Sequence, residues 1–473
     1  MWNNSSAHKS ERGSRLIVET MVLTVFFSFS STAQNTELPK APAAQVIALT
    51  PVPGYFTEPA IAVNPADPQQ VVAVFQDNAH AAYSQDAGRS WQVADGVEPK
   101  NYRVSGDVST AFDNHGHAFI CYMAFDKLGT FNYWGHHSSR NGLFVRRSLD
   151  AGKTWESDHI PIIEHATEPG VPWEDKPYIV SDTAEKSPYA GNLYVGWTRW
   201  TVTDSKILFS RSTDVGKTWS KPIEIDSHPG LPRDDNGAAE GFAGVVAPDG
   251  TLHVVWSQDD QIMLATSRNG GKTFSRARAI LHTGPTMFAV QALERANGFP
   301  QIAIDSQSKH LYLTWSDYRN GDLDVFCSTS RDGGRTWIPA VRVNNDEIHN
   351  GSEQFFQWLA VDPADGAANV IFYDRRRDPG NRKQTVVLAR STDGGRSFKN
   401  YSWTDEAFEA ADVFFGDYTG LAAFGARVYG VWTERPTHIA DSETKAGDEH
   451  SGARGTVVKV GVADFKSGAP EKH

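Results

Sequence analysis

Ser212-Thr213-Asp214-Val215-Gly216-Lys217-Thr218-Trp219 is one of six copies of a single pattern. Residues 84–91 and 148–155 precede it; 267–274, 330–337 and 391–398 follow. Each reads Ser-x-Asp-x-Gly-Lys/Arg-Thr/Ser-Trp/Phe, with Asn269 replacing the Asp in the fourth copy. The third positions are Asp86, Asp150, Asp214, Asn269, Asp332 and Asp393, spaced 64, 64, 55, 63 and 61 residues apart. Recurrence at a near-constant period is the signature of a repeat architecture. Each copy reads as a tight hairpin corner. The Asp accepts hydrogen bonds from turn amides, the Gly takes a positive φ, and the closing aromatic begins a strand that packs on a neighbour. These aspartates therefore read as turn-holding groups rather than catalytic ones.

Composition points the same way. The chain has 473 residues, 40% hydrophobic and 22% charged, with 40 Gly and 14 Trp, short apolar runs and little helical periodicity. That favours an all-β fold with many turns. A formal charge of -12 argues against a nucleic-acid partner. Lys9, Arg12 and Arg15 precede an apolar stretch centred on 21–29 and the small residues Ser31-Thr32-Ala33. Residues 1–33 thus read as a signal peptide, which implies a secreted or periplasmic protein. The apolar run is too short for a membrane span. Cys121 and Cys327 fall in strand-like runs of different repeats, so two buried free thiols are expected rather than a disulfide.

After a Pro/Ala-rich, mobile linker over 34–45, residues 46–52 form an isolated strand without a partner nearby in sequence. A four-strand paragraph then repeats. First strands are expected at 59–63, 108–112, 178–181, 242–246, 301–304, 358–361 and 420–424. Second strands end near Phe75, Tyr122, Trp197, Trp256, Trp315, Tyr373 and Trp432. The seventh unit reaches a third strand at 457–462 and stops; strand 46–52 would supply its missing outer partner and close the ring. The expectation is one β-propeller domain over 46–465, with seven blades of four antiparallel strands (six being the alternative) and a loose tail at 466–473. A monomer is expected.

The spaced corners resemble the Asp-box, or BNR, repeats of the sialidase-like superfamily, over roughly 58–465. That resemblance implies a propeller. It does not choose an activity, because the superfamily includes sialidases, other glycoside hydrolases, polysaccharide lyases and non-catalytic propellers.

Topology then sorts the candidates. If first strands run from top to bottom, the corners lie beneath, and residues before strand one or after strand two share the top face. One equivalent top position holds Glu58, Asp107, Lys176, Gly241, Phe299, Phe356 and Tyr418; Asp175, Glu240 and Asp417 stand one residue earlier. After second strands come Arg199, Asp317 with Arg319, and Asp374 with Arg375. Asp107, Asp175, Asp374 and Asp417 are candidate acid, base or nucleophile groups. Tyr418 is a candidate acid/base or, as the resemblance implies, a nucleophile polarised by a carboxylate. Glu58, Lys176, Arg199, Arg319 and Arg375 are candidate substrate-binding groups, the arginines for an acidic sugar's carboxylate. Trp134, in a top-loop insertion over 127–142, is a candidate sugar platform. The competing reading makes the charges after second strands rim ion pairs that hold blades together.

True sialidases carry an Arg-Ile-Pro motif at the start of the propeller; here the region reads Phe56-Thr57-Glu58-Pro59, without an Arg. No phosphate loop, His-Glu-x-x-His or Cys-x-x-Cys appears, so neither cofactor nor metal is expected, and His136-His137 lacks companion ligands. The leading functional expectation is an exported sialidase-like glycoside hydrolase acting on a glycan or polysaccharide, acidic ones included, through top-face carboxylates. The rivals are a non-catalytic glycan- or protein-binding propeller and a polysaccharide lyase.

Overall fold

The structure, a computed structural model, describes residues 37–466 apart from 77, 95, 98, 100, 103, 127–139, 167–171, 411–412 and 437–454. The leader 1–33, Trp134 with most of its loop, and all of the tail but Lys466 therefore lie outside the described residues.

Seven sheets of four antiparallel strands form the propeller. The first strands are Thr57–Val63, Val104–Phe112, Trp173–Ser181, Glu240–Val246, Gln301–Ile304, Gln354–Val361 and Gly420–Phe424, in blades I to VII. They line the axis: Val108, Tyr178, Phe242, Gln301, Trp358 and Tyr418, from or beside six different first strands, surround one central cavity. The second strands carry the ring of large aromatics read from the sequence. Phe75, Tyr122, Trp197, Trp256, Trp315, Tyr373 and Trp432 are each at most 1% exposed. Packing between blades, one apolar cluster per interface, thus supplies the core. Among the described residues no helix is long and apolar enough to cross a membrane.

Closure occurs where expected. Gln45–Ala48 pairs antiparallel with Val457–Asp464 as the outer strand of blade VII, Gln45 opposite Val462 and Ala48 opposite Lys459. Blade VII therefore joins both ends of the described chain, which hides the edges an open ring would expose. The strand is shorter than the expected 46–52, although Leu49 N still donates to Val458 O at 2.8 Å. The lead-in before it does not hang free. Ala41 N donates to Ser402 O at 3.0 Å and Ser402 N to Pro39 O at 2.9 Å, docking it on blade VI.

Five of the six corners share one set of hydrogen bonds, and the fourth differs only in that Asn269 Nδ2 donates to Thr273 Oγ1, at 2.8 Å. At 330–337, the Ser330 hydroxyl donates to Asp332 Oδ1 at 2.9 Å and accepts from Gly334 N at 2.8 Å. Thr336 donates its amide to Asp332 Oδ1 at 2.9 Å and its hydroxyl to Oδ2 at 2.6 Å. The Thr336 hydroxyl and amide hold the Asp332 carboxyl down at about 2, so it stays ionised as an acceptor. Register places these corners away from the first-strand starts. In blade I, Thr57 pairs with Gln76 at one end, whereas Val63 and Ser84 both pair with Val71 at the other. Cys121 and Cys327 are buried free thiols.

Candidate functional site

Five of the seven first strands begin with the same irregularity. Pairing skips between Thr57 and Ala60, Gly106 and Ser109, Asp175 and Tyr178, Glu240 and Ala243, and Phe355 and Trp358. At each skip one residue adopts left-handed φ: Glu58 at 50°, Asp107 at 45°, Lys176 at 48°, Gly241 at 77° and Phe356 at 53°. Only the glycine does so freely. The others store on the order of 1 kcal/mol or more each, and bulges of this kind re-aim side chains. Here they turn Glu58, Asp107 and Lys176 inward over the axis.

The result is a buried charge cluster assembled from distant parts of the chain. Lys176 Nζ and the Arg295 guanidinium both bind the Asp417 carboxylate, with Arg295 Nε at 2.7 Å from Asp417 Oδ1. Arg295 also pairs with Asp234, and Lys176 lies 3.7 Å from Glu240. Glu58 Oε1 accepts from Asp417 N at 3.1 Å, which ties blade I to the entry of blade VII. Glu58, Asp107 and Asp175 form a chain of hydrogen-bonded carboxyls. Asp175 is anchored by Trp200 Nε1 at 2.8 Å and by Lys176 N at 3.0 Å. Asp107 N donates to Gln76 Oε1 at 3.0 Å.

Burial and charge set the protonation. Burial, reinforced by the Glu58 charge, pushes the Asp107 carboxyl up to about 7. Burial and then Asp107 push Asp175 up to about 8. Burial also raises Glu58 and Glu240, the latter helped by Asp234. Burial alone would raise Asp417, but Arg295 and Lys176 outweigh it and bring it down to about 2. The cluster thus sets an ionised Asp417, clamped by two cations, beside carboxyls whose affinity for protons burial has raised. Glu240, 1% exposed, has no hydrogen-bond donor on either carboxylate oxygen among the described residues.

Of the residues singled out from sequence, Glu58, Asp107, Asp175, Lys176, Asp417 and Tyr418 come together. Tyr418 lies beside these carboxyls with its hydroxyl turned to the backbone of blade II. Its hydroxyl donates to Val108 O at 3.3 Å, its ring packs near Trp358, and burial followed by the Glu58 charge raises its ionisation far above the usual phenol range. The other candidates are held elsewhere. Arg199 pairs with Glu174, which also accepts from Trp197 Nε1. Asp317 accepts from Trp315 Nε1 at 2.7 Å and pairs with Arg319. Asp374 pairs with Arg376 rather than with the cluster. Arg375 lies over Phe355, donates to Gln291 O and Asn381 O, and is lowered to about 10 by burial. No carboxylate-binding triad forms from Arg199, Arg319 and Arg375, because each guanidinium is committed to its own surroundings. The same logic recurs in Trp256 to Gln258 and Trp432 to Glu434: the polar residue two places on accepts the indole N–H.

Arg295 and Asp234 were not legible from strand ends. Arg295 sits between Met287–Phe288 and Ala296–Asn297, a small hairpin inserted before blade V. The long gap from the corner at 267–274 to the strand at Gln301 is the trace it leaves in sequence. Asn297 Nδ2 fastens this hairpin to Asp417 O at 2.9 Å, and Arg375 fastens it from the other side through Gln291. The central cavity beside Lys176, Asp417 and Tyr418 measures about 50 Å³.

No family model and no curated protein matches the chain. Solved structures do match its fold. Phage phi92 endosialidase is similar at 11% identity and TM-score 0.50, over 91% of this chain and 72% of that one. The Hadza microbial sialidase Hz136 (17%, TM-score 0.48) covers 84% of this chain and 74% of its own. A polysaccharide lyase titled PL25 ulvan lyase (11%, TM-score 0.48) covers 82% and 93%. At 11% identity the likeness to the endosialidase is one of fold alone, and the chain itself is a seven-bladed β-propeller.

Proposed function

We propose that the protein is an exported carbohydrate-active hydrolase working at the axial mouth, with the Asp107–Asp175 pair as its proton-handling group. The observation that carries this reading is that both carboxyls are buried and face one amide, Lys176 N, with Asp175 Oδ1 at 3.0 Å and Asp107 Oδ2 at 3.4 Å, where burial raises them to about 8 and about 7. A carboxyl that keeps its proton at neutral pH can protonate a glycosidic oxygen as the bond to the anomeric carbon breaks; once ionised, it can take a proton from the attacking water. Two interacting carboxyls share that proton as a unit. A substrate carboxylate would exchange with Asp417 for the two cations, Lys176 and Arg295, which favours acidic glycans.

One observation supports a second reading, a non-catalytic glycan-binding propeller: most of the charges beside the central cavity compensate one another in ion pairs. Both readings meet one experiment. A panel of sialosides and acidic polysaccharides is incubated with wild type, Asp107→Asn and Asp175→Asn, and new reducing ends are counted. The hydrolase reading expects turnover that falls by about 100-fold or more in Asp107→Asn. Turnover indifferent to both changes would remove the assignment. Saturable binding without product selects the second reading, and growth of an unsaturated-uronate absorbance marks a lyase.

A further inference from the structure

The inserted hairpin has two sides. One carries Arg295 and Asn297 to the charge cluster. The other walls an open cleft of about 560 Å³, lined by Thr283, Pro285, Met287, Phe288, Tyr318 and Arg319. The two sites share residues in register, since Met287 pairs directly with Asn297. Asn236 pins the hairpin by accepting from Thr286 N and Met287 N, both at 2.9 Å.

Tyr318 is the unusual member of the cleft. Tyr318 is 39% exposed, yet its ring is packed against a buried neighbour. Phe288 meets its ring edge-to-face with centroids 5.2 Å apart at 87°. A scattered exposed aromatic needs no explanation. One locked in place on a concave surface has already lost its rotamer freedom, so a ligand that stacks on it spends little entropy in ordering it. Beside it stands Arg319, fixed by Asp317 and stacked 4.4 Å from the centre of the Phe326 ring.

We propose that this cleft is an outer subsite for one saccharide unit of a polymeric glycan, with Tyr318 as the platform under the sugar's apolar face and Arg319 and Thr283 at its hydroxyls. The occupant is a sugar rather than an aliphatic chain because the apolar wall is flat, aromatic and bordered by polar groups. The hairpin is common to the cleft and the axial site, Met287 on the first lying opposite Asn297 on the second. The proposal rests on the hydrolase reading for its substrate class, but not for its test.

The test is affinity electrophoresis of the full chain through gels containing polygalacturonate, polysialic acid or xylan, a readout independent of turnover. Wild type is expected to be retarded in at least one gel. Tyr318→Ala should weaken that retardation by about five- to tenfold at unchanged Tm. Tyr318→Phe, which keeps the ring, should retain most of it. Met287→Lys, which fills the cleft without touching the Tyr318 hydroxyl, should weaken it as well and covers the case in which Tyr318→Ala folds poorly. No retardation of wild type in any gel, or equal retardation of Tyr318→Ala and Met287→Lys with wild type, overturns the subsite. Neither result bears on reducing-end release from short glycosides, which judges the hydrolase reading separately.

Discussion

Asp107 shows how one residue's environment becomes a measurable property. Facing it are Glu58 from blade I and Asp175 and Lys176 from blade III. Its carboxyl is raised from 3.8 to about 7, and that of Asp175 from 3.8 to about 8. A carboxyl raised on folding contributes stability that is fully present below its unfolded value and is lost as pH rises through its folded one. Asp417 runs the opposite way, its contribution present above 3.8 and lost as pH falls through about 2. The Tm of the wild type is therefore expected to fall from about pH 4 to about pH 8, because across that range unfolding releases the protons that Asp107 and Asp175 hold inside the cluster. Asp107→Asn should flatten that slope, because the amide has no charge to bury; calorimetric scans across the range check it, and parallel slopes would count against the buried pair. At this scale sequence and structure agree unevenly. Glu58, Asp107, Lys176 and Asp417 could be found because strand alignment puts them at one position or one residue from it. Arg295 could not, since an insertion has no counterpart in the other blades to align with.

Corners are the element that makes the repeat visible, and they hold one feature that the pattern of Gly alone does not convey. Both central residues of every corner have positive φ, so the residue before the Gly is also left-handed: Ala87 at 59°, Ala151 at 60° and Val215 at 60°. Three corners meet this with a second Gly at 270, 333 or 394. Val215 is the strained member, because a β-branched side chain is the least suited to that conformation. Val215→Gly is expected to stabilise the protein by about 1 kcal/mol, net of the greater freedom glycine gives the unfolded chain. Urea unfolding should register it as a higher midpoint at constant m, and a lower midpoint would show that Val215 packing against blade II dominates. First strands teach the converse lesson. Their apolar cores could be read to within a few residues, but the bulges at their starts could not, since Glu58, Asp107 and Lys176 do not announce a positive φ.

For the whole molecule, closure of the ring is the organising fact. The outer strand Gln45–Ala48 covers the edge of Val457–Asp464, and the lead-in before it bonds to blade VI. Deleting residues up to 49 should leave Val457–Asp464 with unpaired backbone groups on one side. Faster amide exchange confined at first to that strand, together with concentration-dependent aggregation, is expected; unchanged exchange would mean that the ring is held without its N-terminal strand. The amino-acid sequence by itself determined the repeat, the closing strand, and the division between corner aspartates and top-face acids, and it favoured seven blades over six. All of these follow from local patterns: turn chemistry, alternation and the spacing of aromatics. What only the tertiary structure decided is which charges meet. Arg199, Arg319 and Arg375 carry the same charge as Arg295, but the first three face a partner or a buried carbonyl close by, whereas Arg295 is delivered to the axis by its hairpin. Electrostatic contact falls off over a few ångströms, and positions 58, 107, 176, 295 and 417 come within that range only when the ring closes.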